Sequence, residues 1–279
     1  MANLQDWVGR TETRHDQVTP APIAGLSAAL DRDDPPPEPG EPLPPLWHWL
    51  YFLPLTKQSE LGPDGHTARG GFLPPVDLPR RMWAGSRLEF LRPLRVGDAI
   101  TRVSRIESVK EKAGRMGPLV FVMVRHEISN QGGLAIIDEQ DIVFRDYPIP
   151  GEPTAPPPAA AATPVWERVI HPDDVLLFRY SALTYNGHRI HYDRRYATEV
   201  EGYPGLVVHG PLIATLLLDL LRRSLAEARV AKFAFRAVSP LFDIAPFSVC
   251  GRPDGADVNL WAKNSTGGLA MEGTASCAS

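Results

Sequence analysis

The chain has 279 residues, 43% of them apolar, a formal charge of -4 and two cysteines, Cys250 and Cys277. That length can bury a sizeable core as one large domain or two ordinary ones. The charge provides no basic stripe of the kind that phosphate-backbone binding requires, so no nucleic-acid partner is expected. Two cysteines outside any C-x-x-C exclude a disulfide framework and a thiolate zinc site, and they favour a reducing, cytoplasmic setting.

The opening MANLQDWVGR lacks the basic start and apolar run of a secretory signal. Residues 34–45, DPPPEPGEPLPP, read as an extended surface segment, and WHWLYFLP (47–54) as a short helix. Its Trp47, Trp49, Tyr51 and Phe52 are expected as core, or as cover over a cavity, rather than as a stacking platform for nucleic acid. LVFVMVRHEI, the turn SNQGG and LAIIDEQDIVF (119–144) spell a long hairpin. The run PIPGEPTAPPPAAAATP (148–164) reads as a linker, dividing the chain into halves at 1–147 and 165–279.

RYSALTYNGHRIHYD (179–193) follows, just after a predicted strand or turn, crowding His188, His191, Asn186 and Asp193 together. PLIATLLLDLLRRSLAEA (211–228) is the strongest helix signal, with Pro211 suited to the first turn and apolar residues nearly all round, so it must be buried. The surrounding apolar stretch 206–221 is interrupted by His209 and Asp219, and no membrane span is expected. DVNLWAKN, STGG and LAMEGTASC then repeat the earlier hairpin.

An internal echo runs across the linker. FLRPLRVGDAITRVSRI from Phe90 precedes GGLA at 132–135, and FRAVSPLFDIAPFSVCGR from Phe235 precedes GGLA at 267–270. A long apolar helix wrapped by antiparallel sheet, with a degenerate partner half, is the pattern of an α+β double hotdog.

Ile190-His191-Tyr192-Asp193, then Tyr196-Ala197, then GLVVHGPL (205–212), resembles the hydratase signature of the MaoC-like, R-specific enoyl-CoA hydratases. Within that family SALTYNGHRIHYD is similar to the mesaconyl-C4-CoA and itaconyl-CoA hydratases. The resemblance implies water addition to a short, branched, carboxylate-bearing enoyl-CoA, without cofactor or metal, in a protein that leaves room for a homodimer. Such chemistry needs a base for the water, a proton for Cα and donors for the enolate oxygen. His191 suits the first, because an imidazole accepts and returns a proton near neutrality. The resemblance puts a catalytic carboxylate five residues earlier, where this chain has Asn186, an amide that can orient water and cannot take its proton. Gly210 at the helix start offers an N–H and room for the thioester oxygen, with His209 beside it. Tyr185, His188, Arg189, Asp193, Arg194 and Arg195 complete the expected substrate contacts. Arg194, Arg195, Arg222 and Arg223 are candidates for coenzyme A phosphates, and Arg189 for the substrate carboxylate. For Arg222 and Arg223 the helix C-terminus gives an equal reason to carry cations, and Asp193 suits a local backbone role or one holding the His191 ring. Reading His188, His191, Asp193 and His209 as metal ligands finds no zincin spacing. Dehydration of 3-hydroxyacyl thioesters of coenzyme A or acyl carrier protein, thioester hydrolysis, and a non-catalytic acyl-CoA-binding subunit remain as alternatives.

Overall fold

The computed structural model describes residues 3–114, 117–147, 156–160 and 163–278. Its ten strands are β1 (Thr11–Gln17), β2 (Arg80–Phe90), β3 (Ala99–Gly114), β4 (Gly117–Asn130), β5 (Gly133–Arg145), β6 (Trp166–Ile170), β7 (Arg229–Ala237), β8 (Phe247–Asp254), β9 (Asp257–Asn264) and β10 (Leu269–Ala278). They form one antiparallel sheet in the order β1-β3-β4-β5-β2-β7-β10-β9-β8-β6. From either edge inward the sequence of strands is the same, first, third, fourth, fifth and second of each half. The halves join where β2 pairs with β7, Gly85 to Arg236 through Glu89 to Lys232.

The repeat seen in the sequence is a repeat of hydrogen bonds. Leu91 and Arg92 N–H both donate to the Ala135 carbonyl, at 2.8 and 3.2 Å, and Val238 and Ser239 N–H donate to that of Ala270, at 2.8 and 3.1 Å. Each GGLA thus clamps the end of the neighbouring strand. The preceding turns each hold one glycine in the left-handed region, Gly133 at φ 100° and Gly267 at φ 85°. One is the second glycine of its pair and the other the first, the β9–β10 connection being two residues longer, so a pair accommodates both geometries.

The helices are α1 (Pro20–Ala29), α2 (Asp174–Thr184) and α3 (Gly210–Ser224). In α3 every residue from Leu212 to Leu221 is buried, as a helix apolar all round must be. It ends at Ser224 rather than at residue 228, because β7 must begin at Arg229 to pair with Ala278 and the intervening residues make the turn. With its sheet it completes the expected double hotdog. Where the first half was expected to hold a short helix there is one 3-10 turn, Trp47–Leu50, with Trp47, Tyr51 and Phe52 buried as core. Residues 179–184 belong to α2 and so follow neither strand nor turn, a correction to the expectation.

One apolar core runs through both halves, from Leu26 and Leu50 to Leu217 and Val249. Residues 148–155 and 161–162 of the expected linker lie outside the described residues. Within 156–160, Ala159 bridges Gly268 and Ala160 N–H donates to Gly267, so this stretch is tied to the β9–β10 turn. Cys250 is buried and neither cysteine is bonded to the other. Among the described residues no helix is long and apolar enough to cross a membrane.

Candidate active site

Tyr185 ends α2 in the left-handed region, at φ 49°. This turns the chain so that Asn186 N–H returns to the Ser181 carbonyl at 2.8 Å, while Asn186 Oδ1 accepts the N–H of His188 at 3.0 Å. Asn186 is therefore an Asx-turn residue whose carbonyl is spent on backbone. A single 3-10 turn, Arg189–His191, presents His191. Two bonds stitch it to the strand-like segment before α3: Val207 N–H to Ile190 O at 2.9 Å, and the His191 ring to Val207 O at 2.7 Å.

Because a carbonyl only accepts, His191 Nδ1 carries the proton, and Nε2 keeps its lone pair toward the cleft that His191 helps to line. Burial pulls this imidazole down to about 4, against a weaker opposing pull from the Val207 bond. It is neutral, and a base, at neutral pH. Its ring stacks on that of His209, the N-cap of α3, with centroids 3.7 Å apart and planes at 18°. His209 has no exposed surface and so lies behind His191 rather than against substrate, a correction to its expected role. Its Nε2 meets Ser181 Oγ at 2.8 Å, and burial holds it well below the usual histidine range.

Gly210 opens α3 on the same cleft, about 1920 Å³ in volume. Pro211 has no N–H, so at the helix mouth the half-buried Gly210 carries the first N–H at the positive end of the dipole. A methyl group built on it would meet nothing closer than the Trp83 carbonyl at 4.0 Å, which leaves open space for an oxygen.

The expected arginines are mostly committed elsewhere. Arg189 Nε and Nη2 bond Asp193 Oδ2 at 3.0 and 2.7 Å, Nη1 bonds Pro63 O, and the guanidinium covers Tyr196 at 4.2 Å. Asp193 also takes the Tyr196 N–H, so its role is the local backbone and not the His191 ring. Arg194 pairs with Asp243, and Arg195, 85% exposed, pairs with Glu199. Arg222 and Arg223 pair with Asp34 and Asp219 at the far end of α3, roughly 20 Å from Gly210 at 1.5 Å per residue, and cannot reach the same cleft mouth. Tyr185 is exposed on the cleft rim.

Three residues the sequence did not flag join the site. The turn Gly62–His66 is pressed against Gly187–Arg189: Arg189 N–H bonds Asp64 O at 2.9 Å, and Gly65, at φ 85°, lies where any side chain would overlap the Gly187 carbonyl. This brings the His66 ring 4.0 Å from that of His188, itself edge-on to His191 at 5.3 Å. Asp64 Oδ2 meets His66 Nδ1 at 3.0 Å; burial would raise Asp64, and the His66 bond and charge hold it below the usual carboxylate range instead. Burial and then the charge of Arg81 lower His66, and burial lowers His188. The motif GPDGH carries a turn signal, but nothing in it locates a partner more than 120 residues away. Donor atoms of Asp64, His66 and His188 lie within 4.8 Å of one another and could hold a cation. The positive charge of Arg81, felt by both rings, makes this wall better suited to an anion. His191, Asp193 and His209 do not join that set.

The family model described as hydroxyacyl-thioester dehydratase type 2 matches residues 46–243. The mesaconyl-C(4)-CoA hydratase of Chloroflexus aurantiacus is 47% identical over 276 residues, 98% of this chain and 97% of that protein. A MaoC-like dehydratase from Phytophthora capsici superposes with a TM-score of 0.70 at 13% identity, covering 99% of this chain and 98% of its own. A Mycobacterium tuberculosis protein described as a double hotdog gives 0.58 at 14% identity, over 97% and 96%. The last two bear on fold alone. With its histidines gathered at the mouth of a buried hotdog helix, the chain belongs to the hydroxyacyl-thioester dehydratase type 2 family of MaoC-like enzymes and is a hydro-lyase.

Proposed function

We propose that this enzyme adds water across the double bond of a short, branched, carboxylate-bearing enoyl-CoA, of the mesaconyl-C4-CoA or itaconyl-CoA kind, giving a 3-hydroxyacyl-CoA. The observation that carries the reading is the His191 ring, fixed with its Nε2 lone pair free on the cleft that Gly210 also lines. The 47% identity to a mesaconyl-C(4)-CoA hydratase supports the substrate class.

In this mechanism His191 Nε2 takes a proton from water as oxygen bonds to Cβ. The π electrons move toward the thioester oxygen, where the Gly210 N–H and the helix dipole meet the developing charge. A proton then returns to Cα as the thioester re-forms, leaving the imidazole neutral. A positioned acid–base group supplies roughly 10²- to 10⁴-fold, and an oxyanion donor roughly 10²- to 10³-fold, so neither is dispensable. Asn186 brings no carboxylate, and the Asp64–His66 pair supports the reading by bringing one from the first half. The same site serves dehydration of a 3-hydroxyacyl thioester, since a catalyst sets no equilibrium. A cytoplasmic setting fits the two unbonded cysteines.

The test is to incubate the protein with mesaconyl-C4-CoA, itaconyl-CoA and crotonyl-CoA. Product is followed by mass spectrometry, by loss of absorbance for the conjugated thioesters, and with a thiol reagent. Hydrated product without free thiol supports hydration; thiol release supports a thioesterase; tight binding without product supports a non-catalytic subunit.

A further inference from the structure

We infer that Arg81 is the receptor for the free carboxylate of the acyl group, the residue that makes this cleft select a charged enoyl thioester over a plain one. The inference rests on the hydration reading and names the residue behind its substrate class.

Successive residues of β2 point to opposite faces, and its first two arginines meet different fates. Arg80 is buried and neutralised: Nε bonds Glu201 Oε2 at 2.8 Å, a second nitrogen bonds the Glu201 carbonyl, and the rings of Tyr203 and Tyr147 lie 4.5 and 5.4 Å away. Arg81 lines the cleft with no hydrogen bond or ion pair from its guanidinium among the described residues. Of the other arginines on the cleft, Arg69 is occupied by the carbonyls of Val76 and Pro79, Arg14 by Glu12 and Arg189 by Asp193, while Arg102, its Nε unpartnered, lies over the Phe52 ring at 5.0 Å within the field of Glu12, Asp138 and Asp16. Asp64, whose charge acts on Arg81, already takes the backbone N–H and ring Nδ1 of His66 on its two oxygens.

A partly buried cation with five unassigned donors is costly unless something anionic completes it, and a planar carboxylate matches its fork. Burial is the chief pull on Arg81, lowering it from the usual guanidinium value and outweighing the opposing pull of Asp64.

Position chooses the anion. Trp83, two residues along β2 and on the same face as Arg81, sets its carbonyl 4.0 Å from where a Gly210 side chain would begin, and the field of Arg81 acts on His66 and His188, so Arg81 stands at the reacting end of the cleft. Coenzyme A phosphates are held off from the thioester by the whole pantetheine arm. A carboxylate carried on the carbon that receives water lies next to the double bond. Pairing it with Arg81 also removes electron-repelling charge from beside that carbon, which favours attack by the water oxygen.

The test compares mesaconyl-C4-CoA with its carboxyl methyl ester, in the wild type and in Arg81→Gln and Arg81→Lys, reading kcat/KM, Kd and the melting temperature. Arg81→Gln is expected to weaken binding of the acid about 30- to 1000-fold, the range for losing one partner of a desolvated charge pair, with the ester unaffected. Arg81→Lys, which keeps charge and loses the fork, should fall between. Equal losses for acid and ester, or none for the acid, overturn the inference; equal losses would point to coenzyme A contacts or to folding. If the wild type turns over neither thioester the hydration reading fails, while the Kd comparison still decides the role of Arg81.

Discussion

The two halves share one strand order, yet only the second wraps it around an α-helix, and the contrast shows what that helix is for. In the second half α3 fills the hollow of the sheet and presents its first N–H to the cleft. In the first half Leu43, Leu46, Leu50, Tyr51 and Phe52, with Leu26 of α1 and Leu30 just beyond it, do the filling. A single 3-10 turn preceded by buried Leu46 offers no helix mouth. Both halves also hold a serine–histidine pair, buried in the second and part-buried in the first: Ser181 Oγ with His209 Nε2 at 2.8 Å, and Ser104 Oγ with His126 Nδ1 at 2.7 Å. Around the second pair, His48 and Asp138 are buried, with His48 Nε2 3.6 Å from Asp138 Oδ2. The sheet therefore tolerates loss of the helix provided apolar volume is replaced. On the proposed mechanism chemistry does not, because the N–H offered to the thioester oxygen is the one at the helix start.

The largest expected effect breaks the contrast at its functional end. His191→Ala is expected to lower kcat about 10³- to 10⁴-fold, at the upper end for an acid–base group, with enoyl-CoA Kd changed little; steady-state kinetics and calorimetry check it. Next comes the point where the first half grips the helix of the second. Asp219, 1% exposed, holds Arg32 at 2.6 Å, Arg168 at 2.9 Å and Arg223 at 2.7 Å. Asp219→Ala is expected to cost about 3–5 kcal/mol, since it strands these guanidinium groups. Urea denaturation should show the loss, with kcat of the folded enzyme retained.

A third effect is acid sensitivity, which the halves share. Burial lowers both His191 and His126 to about 4. The unfolded chain binds these protons first, so the stability they contribute is complete above the ordinary histidine value near 6.5, and is lost as pH falls through 4. For His191 the loss is on the order of 3 kcal/mol. Denaturation midpoints at pH 7, 5.5 and 4 should fall in that order, and His191→Gln or His126→Gln should each flatten the slope. The smallest effects separate the two serine–histidine pairs. Ser181→Ala is expected to cost about 1–3 kcal/mol, because it leaves fully buried His209 unsatisfied, and Ser104→Ala about 0.5–1.5, because His126 is partly exposed. Equal losses in thermal melts would erase the distinction drawn between the clusters.

The repeat, both hairpins, the buried helix and His191 with Gly210 were legible in the chain because each is a local signal. Alternation, a glycine pair, Pro211 and an apolar run act over a few residues, and the NGHRIHYD and VVHGPL strings fix their own turns. The arginine assignments lose support for a physical reason: a charge is most available to a ligand where no neighbour has claimed it, and Asp193, Asp243, Glu199, Asp34 and Asp219 pair with these arginines. Likewise Asp64, His66 and Arg81 are separated from His188 by more than a hundred residues, and only the docking of Gly65 on Gly187 and the packing of β2 against β7 bring them to it. The sequence by itself determined the periodic elements and the residues able to do acid–base chemistry. The tertiary structure alone decided which charges stay uncompensated in the cleft, because that depends on pairing and desolvation between distant segments.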